Sequence, residues 1–232
     1  MLHEITFDQY SSYSFSLGCV IFGYAQGKIQ LLVVKHNREP CSGEWAIPGG
    51  GVQPNEGLGD AAGRILTELT KLKGVQLHQG PTFGQPDRHP QGRLITTAYF
   101  ALVRMEDIAI SVDVNPDERR WVPVNELPAL AFDHNEIVAS TYESLRQKLC
   151  REPLCFDLLP EKFTLNELQR LYEYAWGMVM DKANFRKKIK SIPLVQLEEK
   201  QTNVKHRPAN LFMFDREQFK RMTSEESYQF RM

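Results

Sequence analysis

Cysteine is scarce in this chain. Cys19, Cys41, Cys150 and Cys155 are the four among 232 residues, and as a set they do not have the spacing of a metal site. That argues against a disulfide-stapled scaffold and against a zinc-ribbon or zinc-finger module, and a reduced, cytoplasmic setting is expected. Cys19 lies in an apolar strand-like run and is expected to pack as a small hydrophobe. Long apolar runs are also missing. None approaches the roughly 18 residues of a membrane-spanning helix, so no membrane partner is expected. The first residues, MLHEITFDQYSSYSF, lack the basic start and apolar core of a signal peptide. Internal repeats and low-complexity tracts are absent too, which excludes solenoids and disordered linker proteins.

What is present is the composition of a globular protein, 42% hydrophobic and 25% charged. The length suits one large or two modest domains. The net charge of −1 hides an asymmetry. Residues 1–159 hold 14 Lys/Arg against 19 Asp/Glu, a balance of −5, and residues 160–232 hold 14 against 10, a balance of +4. A basic second half raises the question of nucleic acid.

In the first half, Leu17 to Tyr24 and Ile29 to His36 are β-rich runs separated by Ala25-Gln26-Gly27-Lys28, a hairpin signal. Arg93 to Val103 reads as another strand. Arg119 to Val124 reads as a short one that Pro123 marks as irregular or an edge. Between them lies the glycine run Gly49-Gly50-Gly51, preceded by Trp45 and Pro48. A helix is expected from Leu58 to Leu72, with Leu58, Ala62, Ile65, Leu69 and Leu72 on one apolar side. Gly50, Glu56, Arg64, Leu66, Glu68 and Leu72 fall on their places in the Nudix box. Ile65 and Leu69 stand where that box has glutamates, and Lys71 where it has glycine. The order of strand, Trp-containing turn, glycine run and helix resembles the Nudix family.

Those departures bear on chemistry. A Nudix hydrolase holds divalent cations against a diphosphate with helix carboxylates. Positions 65, 68 and 69 share one helix face, being i, i+3 and i+4. Magnesium prefers hard oxygen ligands in octahedral array. Ile65 and Leu69 supply none, which leaves Glu56 and Glu68 as weak metal candidates. Glu56, Arg64 and Glu68 are therefore read as remnants of a catalytic box, with Arg64 paired to a carboxylate. No cofactor is expected, and magnesium enters only if hydrolysis is retained.

Farther on, a helix is expected to run to Leu149, with Asp133 the better N-cap candidate and His134 structural. Residues 151–162, interrupted by Pro153 and Pro160, form the candidate linker between a domain over 1–150 and one over 163–232. Thr164-Leu165-Asn166-Glu167 is a capping box. Leu165, Leu168, Leu171, Tyr172 and Ala175 give the following helix one apolar face, and Gly177 ends it. Asp181 can cap a second helix. Phe185, Ile189 and Ile192 project to one side of it, and Asn184, Arg186, Lys187 and Lys190 to the other. Leu194 to Glu198 and Asn210 to Phe214 are expected to pair as a wing, with Lys205, His206 and Arg207 at its tip. Helix, turn, basic helix and wing is a DNA-binding order. Arg and Asn read guanine and adenine edges, and lysines meet phosphates. The expected DNA contacts are Lys182, Asn184, Arg186, Lys187, Lys190, Lys205, His206 and Arg207. The bland alternative is a solvated basic helix.

Phe163-Thr164-Leu165, Asn184-Phe185-Arg186-Lys187 and Arg207-Pro208-Ala209-Asn210-Leu211-Phe212 resemble the winged-helix half of the Nudix-related transcriptional regulators of the NrtR family. The likeness runs from about Phe15 to Phe214. It implies an α+β chain, an N-terminal Nudix α/β/α sandwich followed by a C-terminal winged helix-turn-helix. It also implies a homodimer on double-stranded, palindromic operator DNA, controlled by a small-molecule effector. Members sense ADP-ribose or a related nucleotide, or in other branches a sugar or sugar phosphate such as arabinose, and no single motif here selects a branch. Candidate effector contacts are Arg38, the backbone of Gly49, Gly50 and Gly51, and Arg88 and Arg93 in the loop before the central strand; Arg offers a planar fork of donors to a phosphate or carboxylate. Two other classes remain open. One is a magnesium-dependent Nudix pyrophosphatase acting on an ADP-ribose-type substrate, the other a protein-binding scaffold.

Overall fold

The computed structural model describes residues 13–70, 74–105, 118–202 and 207–224. Strand β1 (Ser14–Ala25) turns through Gln26-Gly27 into β2 (Lys28–Lys35), the expected hairpin. Short β3 (Trp45–Ala46) and β4 (Gly49–Gly51) follow, then helix α1 (Leu58–Thr70). Next come β5 (Leu77–Phe83), β6 (Leu94–Arg104) and β7 (Arg119–Pro123). The sheet runs β3-β2-β1-β6-β5, with β4 beside the first half of β1 and β7 along β2. β1 and β6 pair in parallel over their whole length, from Ser14↔Leu94 to Tyr24↔Arg104. Strands so placed are covered on both faces, which is why β1 reads as a nearly unbroken apolar run.

The period of two sorts β1 between two cores. Leu17, Cys19 and Ile21 pack with Leu32, Tyr99 and Val103 against Ala61, Ala62, Ile65 and Leu66 of α1. Val20 and Phe22 face the other way, with Leu31, Val33, Phe100 and Leu102. They meet Ile137, Val138, Leu145 and Leu149 of α2 (His134–Leu149). The result is the expected α/β/α sandwich. Cys19 is fully buried, and burial pushes its thiol up to about 12, so it is a packing group. No helix among the described residues is long and apolar enough to cross a membrane.

β5 escapes sequence reading. Its LHQGPTF has no apolar alternation, and Pro81 lacks the donor a ladder needs. The pairing with β6 shifts register between Gln79 and Thr82, and this irregularity accommodates the proline.

The expected linker, residues 151–162, is a packed joint. It contains helix α3 (Cys155–Leu158), and Leu154, Phe156, Leu158 and Leu159 are all buried. Each such side chain is worth about 1.5–3 kcal/mol as an upper figure. The core on this face therefore continues through α3 into α4 (Leu165–Trp176) and α5 (Lys182–Ile189) without a break. The prolines delimit the turn of helix; the leucines and Phe156 bury it.

The capping box forms as read. The Glu167 N–H donates to Thr164 Oγ1 at 3.1 Å and the Thr164 N–H to Glu167 Oε2 at 2.7 Å. Leu168, Leu171, Tyr172 and Ala175 are the buried apolar positions of α4. Gly177 ends the helix at φ +64°, where a side chain would be strained. After α5, β8 (Leu194–Lys200) and β9 (Asn210–Phe214) form the wing. Phe163 and Phe212 exchange two backbone hydrogen bonds, at 3.0 and 2.8 Å, and so tie the start of this module to the hairpin. The tail beyond residue 215 carries one more helix, α6 (Arg216–Ser224).

Candidate functional site

The Nudix-box remnant forms a closed polar knot. Arg64 Nε donates to Glu56 Oε2 at 2.9 Å and Arg64 Nη2 to Glu56 Oε1 at 2.6 Å. Nη2 also donates to the Gly51 carbonyl at 3.0 Å, and Nη1 reaches Glu68 Oε2 at 3.4 Å. The Gln53 N–H adds a bond to Glu56 at 2.8 Å. The Arg64 hydrogen bonds, and then the Gln53 N–H, hold the Glu56 carboxyl down at about 2. Arg64 is thus paired to a carboxylate, as read from the sequence.

The metal positions are apolar. Ile65 is buried against Leu17, Cys19 and Ile21, and its side chain lies under Gly50, where a β-carbon would sit 3.3 Å from it. Leu69 packs on the same cluster. Glu56 is spent on Arg64, which leaves Glu68 as the exposed carboxylate of the box. Among the described residues no group of three or more His, Cys, Asp or Glu is placed to hold a metal. The donor set does not fit a magnesium cage.

The glycine run is a strand. Gly49, Gly50 and Gly51 pair with Gly18, Leu17 and Ser16. A β-carbon at Gly49 would stand 2.8 Å from the Leu17 carbonyl oxygen, so the close approach of β4 to β1 requires glycine there.

Three loops meet at one place. Phe132, at φ +54°, stacks on His89 at 4.8 Å and meets His36 edge-on at 5.4 Å and His134 at 5.5 Å. A non-glycine residue held at such a φ is strained and needs surrounding contacts to keep it there. The Ile47 N–H donates to His134 Nδ1 at 3.3 Å, and burial pushes His134 down to about 4. His134 is therefore a neutral, structural acceptor, as expected. Asp133 stands at the N-cap position but makes no side-chain cap hydrogen bond. Its carboxylate instead takes a two-pronged bond from Arg88, Nε to Oδ2 and Nη2 to Oδ1, both at 2.7 Å. Arg88 also donates to Thr96 Oγ1 at 2.6 Å.

The other effector candidates are placed as follows. Arg93 donates to the Gly84 carbonyl and lies over the Tyr13 ring. Arg38 is exposed on the loop after β2, and its backbone N–H meets His36 Nδ1 at 3.4 Å. Gln91 Nε2 donates to the Glu39 carbonyl at 3.3 Å, which joins that loop to the loop carrying His89. The structure thus brings Arg38, Arg88 and their neighbours to one end of the sheet. His36, His89 and Phe132 belong to the same cluster and are not among the site residues read from the sequence, because their contacts join segments far apart in the chain.

Of the eight DNA-binding candidates six are described, and all six are exposed. Asp181 caps α5 by accepting from the Asn184 N–H at 2.9 Å. Phe185 and Ile189, with Ile192 beyond, are buried, so Lys182, Asn184, Arg186, Lys187, Lys188 and Lys190 are left exposed. Arg207 is exposed in the connection between β8 and β9, beyond the Lys200↔Asn210 pair; Lys205 and His206 lie outside the described residues.

Two family models match this arrangement, the NUDIX domain over residues 14–144 and the NrtR DNA-binding winged helix domain over 155–214. Over 209 residues the chain is 30% identical to the ADPR responsive transcriptional repressor NtrR of Acinetobacter baylyi, covering 88% of this chain and 83% of that one. The chain belongs to the NrtR family of Nudix-related proteins. NrtR of Shewanella oneidensis, crystallised with a 27mer DNA, superposes with a TM-score of 0.77 at 28% identity, covering 93% of this chain and 97% of that one. The NUDIX domain of the same Shewanella NrtR, crystallised with ADP ribose, matches with a TM-score of 0.51 at 26% identity, over 61% of this chain and 94% of that one.

Proposed function

We propose that this NrtR-family protein is a cytoplasmic transcriptional regulator. It binds operator DNA through α5 and the wing, and a nucleotide of the ADP-ribose class in the Nudix cleft sets its DNA affinity. The observation that carries the reading is the exposed row Lys182, Asn184, Arg186, Lys187 and Lys190, held outward by buried Phe185 and Ile189. Arg186 and Asn184 are the base readers, and the lysines neutralise phosphates. Two copies on a palindrome would place two such helices about one turn of DNA apart. The NtrR relative's response to ADPR and the Shewanella complex with ADP ribose favour the nucleotide branch over the sugar branch.

Helix α2 is the proposed coupling element. Its first turn adjoins the Phe132 cluster and the Arg88–Asp133 pair. Two turns on, the Tyr142 hydroxyl donates to the Ala175 carbonyl at 3.5 Å, and Arg146 Nη2 meets the Trp176 carbonyl at 3.5 Å. Those carbonyls end α4, immediately before the turn into α5. A ligand that reorders the cluster would tilt α2 and, through these contacts, the reading helix, biasing one of two arrangements.

Selection of bound duplexes from a random pool tests the reading. A recovered palindrome whose affinity shifts at least tenfold with ADP-ribose is the expected result. Brisk magnesium-dependent release of monophosphate from ADP-ribose, with no duplex retained, would replace it with the hydrolase reading.

A further inference from the structure

Helix α5 presents one exposed apolar side chain, Ala183. Lys182, Asn184, Arg186, Lys187 and Lys188 are exposed and polar, and Phe185 and Ile189 are buried at 1% and 5% exposure. Ala183 stands two residues before Phe185, about 200° round the helix, and so points away from the core. Lys187 and Lys190 follow it at i+4 and i+7 and form one row with it. Asn184 lies on one flank of that row and Arg186 on the other.

Two features direct this first turn to base edges. A reading helix enters the major groove with its N-terminal residues nearest the bases. The Asp181 carboxylate already caps α5, accepting the Asn184 N–H at 2.9 Å, and its charge keeps a DNA phosphate from taking that place. A methyl side chain makes no hydrogen bond. Being short, it lets the helix come close to the base pairs. Its favourable partner in the major groove is the C5 methyl of thymine, because the other bases present hydrogen-bonding groups there.

We infer that Ala183 is a specificity-determining residue, whose β-carbon packs on the C5 methyl of one thymine in each operator half-site, beside the adenine that Asn184 takes. The inference rests on α5 being the reading helix. It adds an apolar contact that tells thymine from every other base, uracil included.

The test takes the operator recovered by selection and replaces its thymines with uracil, one position at a time and in both half-sites together. Uracil keeps the hydrogen bonds of thymine and lacks only the methyl. With the full chain, one position is expected at which the replacement weakens binding about fourfold per half-site, the worth of one buried methyl group, and so about fifteenfold for the pair. Ala183→Gly and Ala183→Ser each bind the thymine operator more weakly, and for both the uracil penalty at that position falls below about twofold. The slope of log affinity against log salt stays as in the parent, because no phosphate contact is removed. A scan in which no thymine position matters overturns the inference. So does a uracil penalty that is the same in the parent and in both variants, which would leave alanine at 183 as a helix former only. Failure to retain any duplex is a distinct result, and it overturns the reading of the whole module together with this inference.

Discussion

Removing the Asp133 carboxylate isolates the contact that ties the loop before β6 to the start of α2. The Arg88 side chain is 5% exposed and that of Asp133 17%, and the two hydrogen bonds between them are both 2.7 Å. In Asp133→Ala the guanidinium keeps only the Thr96 hydroxyl. An uncompensated buried charge of this kind costs about 3–5 kcal/mol. Asp133→Asn, which keeps an acceptor, costs about 1.5–3 kcal/mol. Replacing the pair together, Arg88→Met with Asp133→Leu, removes the stranded charge and restores stability to within about 1 kcal/mol of the parent. The assay is urea unfolding followed by far-UV circular dichroism. With a slope of about 2.5 kcal/mol per molar, Asp133→Ala lowers the midpoint by roughly 1–2 M. A shift below about 0.3 M, or a double variant no more stable than Asp133→Ala, refutes the view that this pair is buried and mutually dependent.

Three further perturbations probe other parts of the molecule. Ile65→Glu returns a carboxylate to the Nudix box but buries it among Leu17, Cys19 and Ile21; it costs about 3–5 kcal/mol, a fall of roughly 10 °C in thermal midpoint, without creating magnesium-dependent hydrolysis, as calorimetry and a phosphate-release assay will show. Because His134 is pushed down to about 4, the unfolded chain takes up its proton first as pH falls; stability from this group is complete above about pH 6.5 and declines by on the order of 2–3 kcal/mol down to pH 4, and His134→Gln flattens that limb of the urea-midpoint profile. Lys187→Ala and Lys190→Ala each reduce the slope of log affinity against log salt by about 1 while leaving operator preference unchanged, whereas Arg186→Ala relaxes preference at one base pair, as competition binding over a range of salt will read.

What was legible in the sequence was local. The turn at Gln26-Gly27, the Thr164–Glu167 capping box, the Gly177 stop and the 3.6-residue spacing of Phe185 and Ile189 each have a cause within a few residues, and each stands where it was read. The Nudix box was legible because its spacing is fixed by one helix turning over one glycine strand. The illegible features are long-range or irregular. Arg88 and Asp133 are 45 residues apart, and the sequence gives no sign that an N-cap aspartate will be claimed by an arginine from another loop. Phe132 is held by histidines at 36, 89 and 134, which share no periodicity. The stretch from Pro153 to Pro160 carries a linker's prolines but a core's leucines, and burial prevailed over punctuation. β5 was hidden because Gly80 and Pro81 interrupt the strand pattern where the pairing itself shifts.

The most direct measurement is operator affinity as a function of ADP-ribose, made on the intact chain at fixed salt. The account predicts that Arg186→Ala weakens operator binding about ten- to a hundredfold, equally with and without nucleotide. It also predicts that Tyr142→Phe with Arg146→Lys leaves operator affinity intact and shrinks its response to the nucleotide. An operator affinity that ignores ADP-ribose in the parent protein, beside rapid cleavage of the same nucleotide, would contradict it.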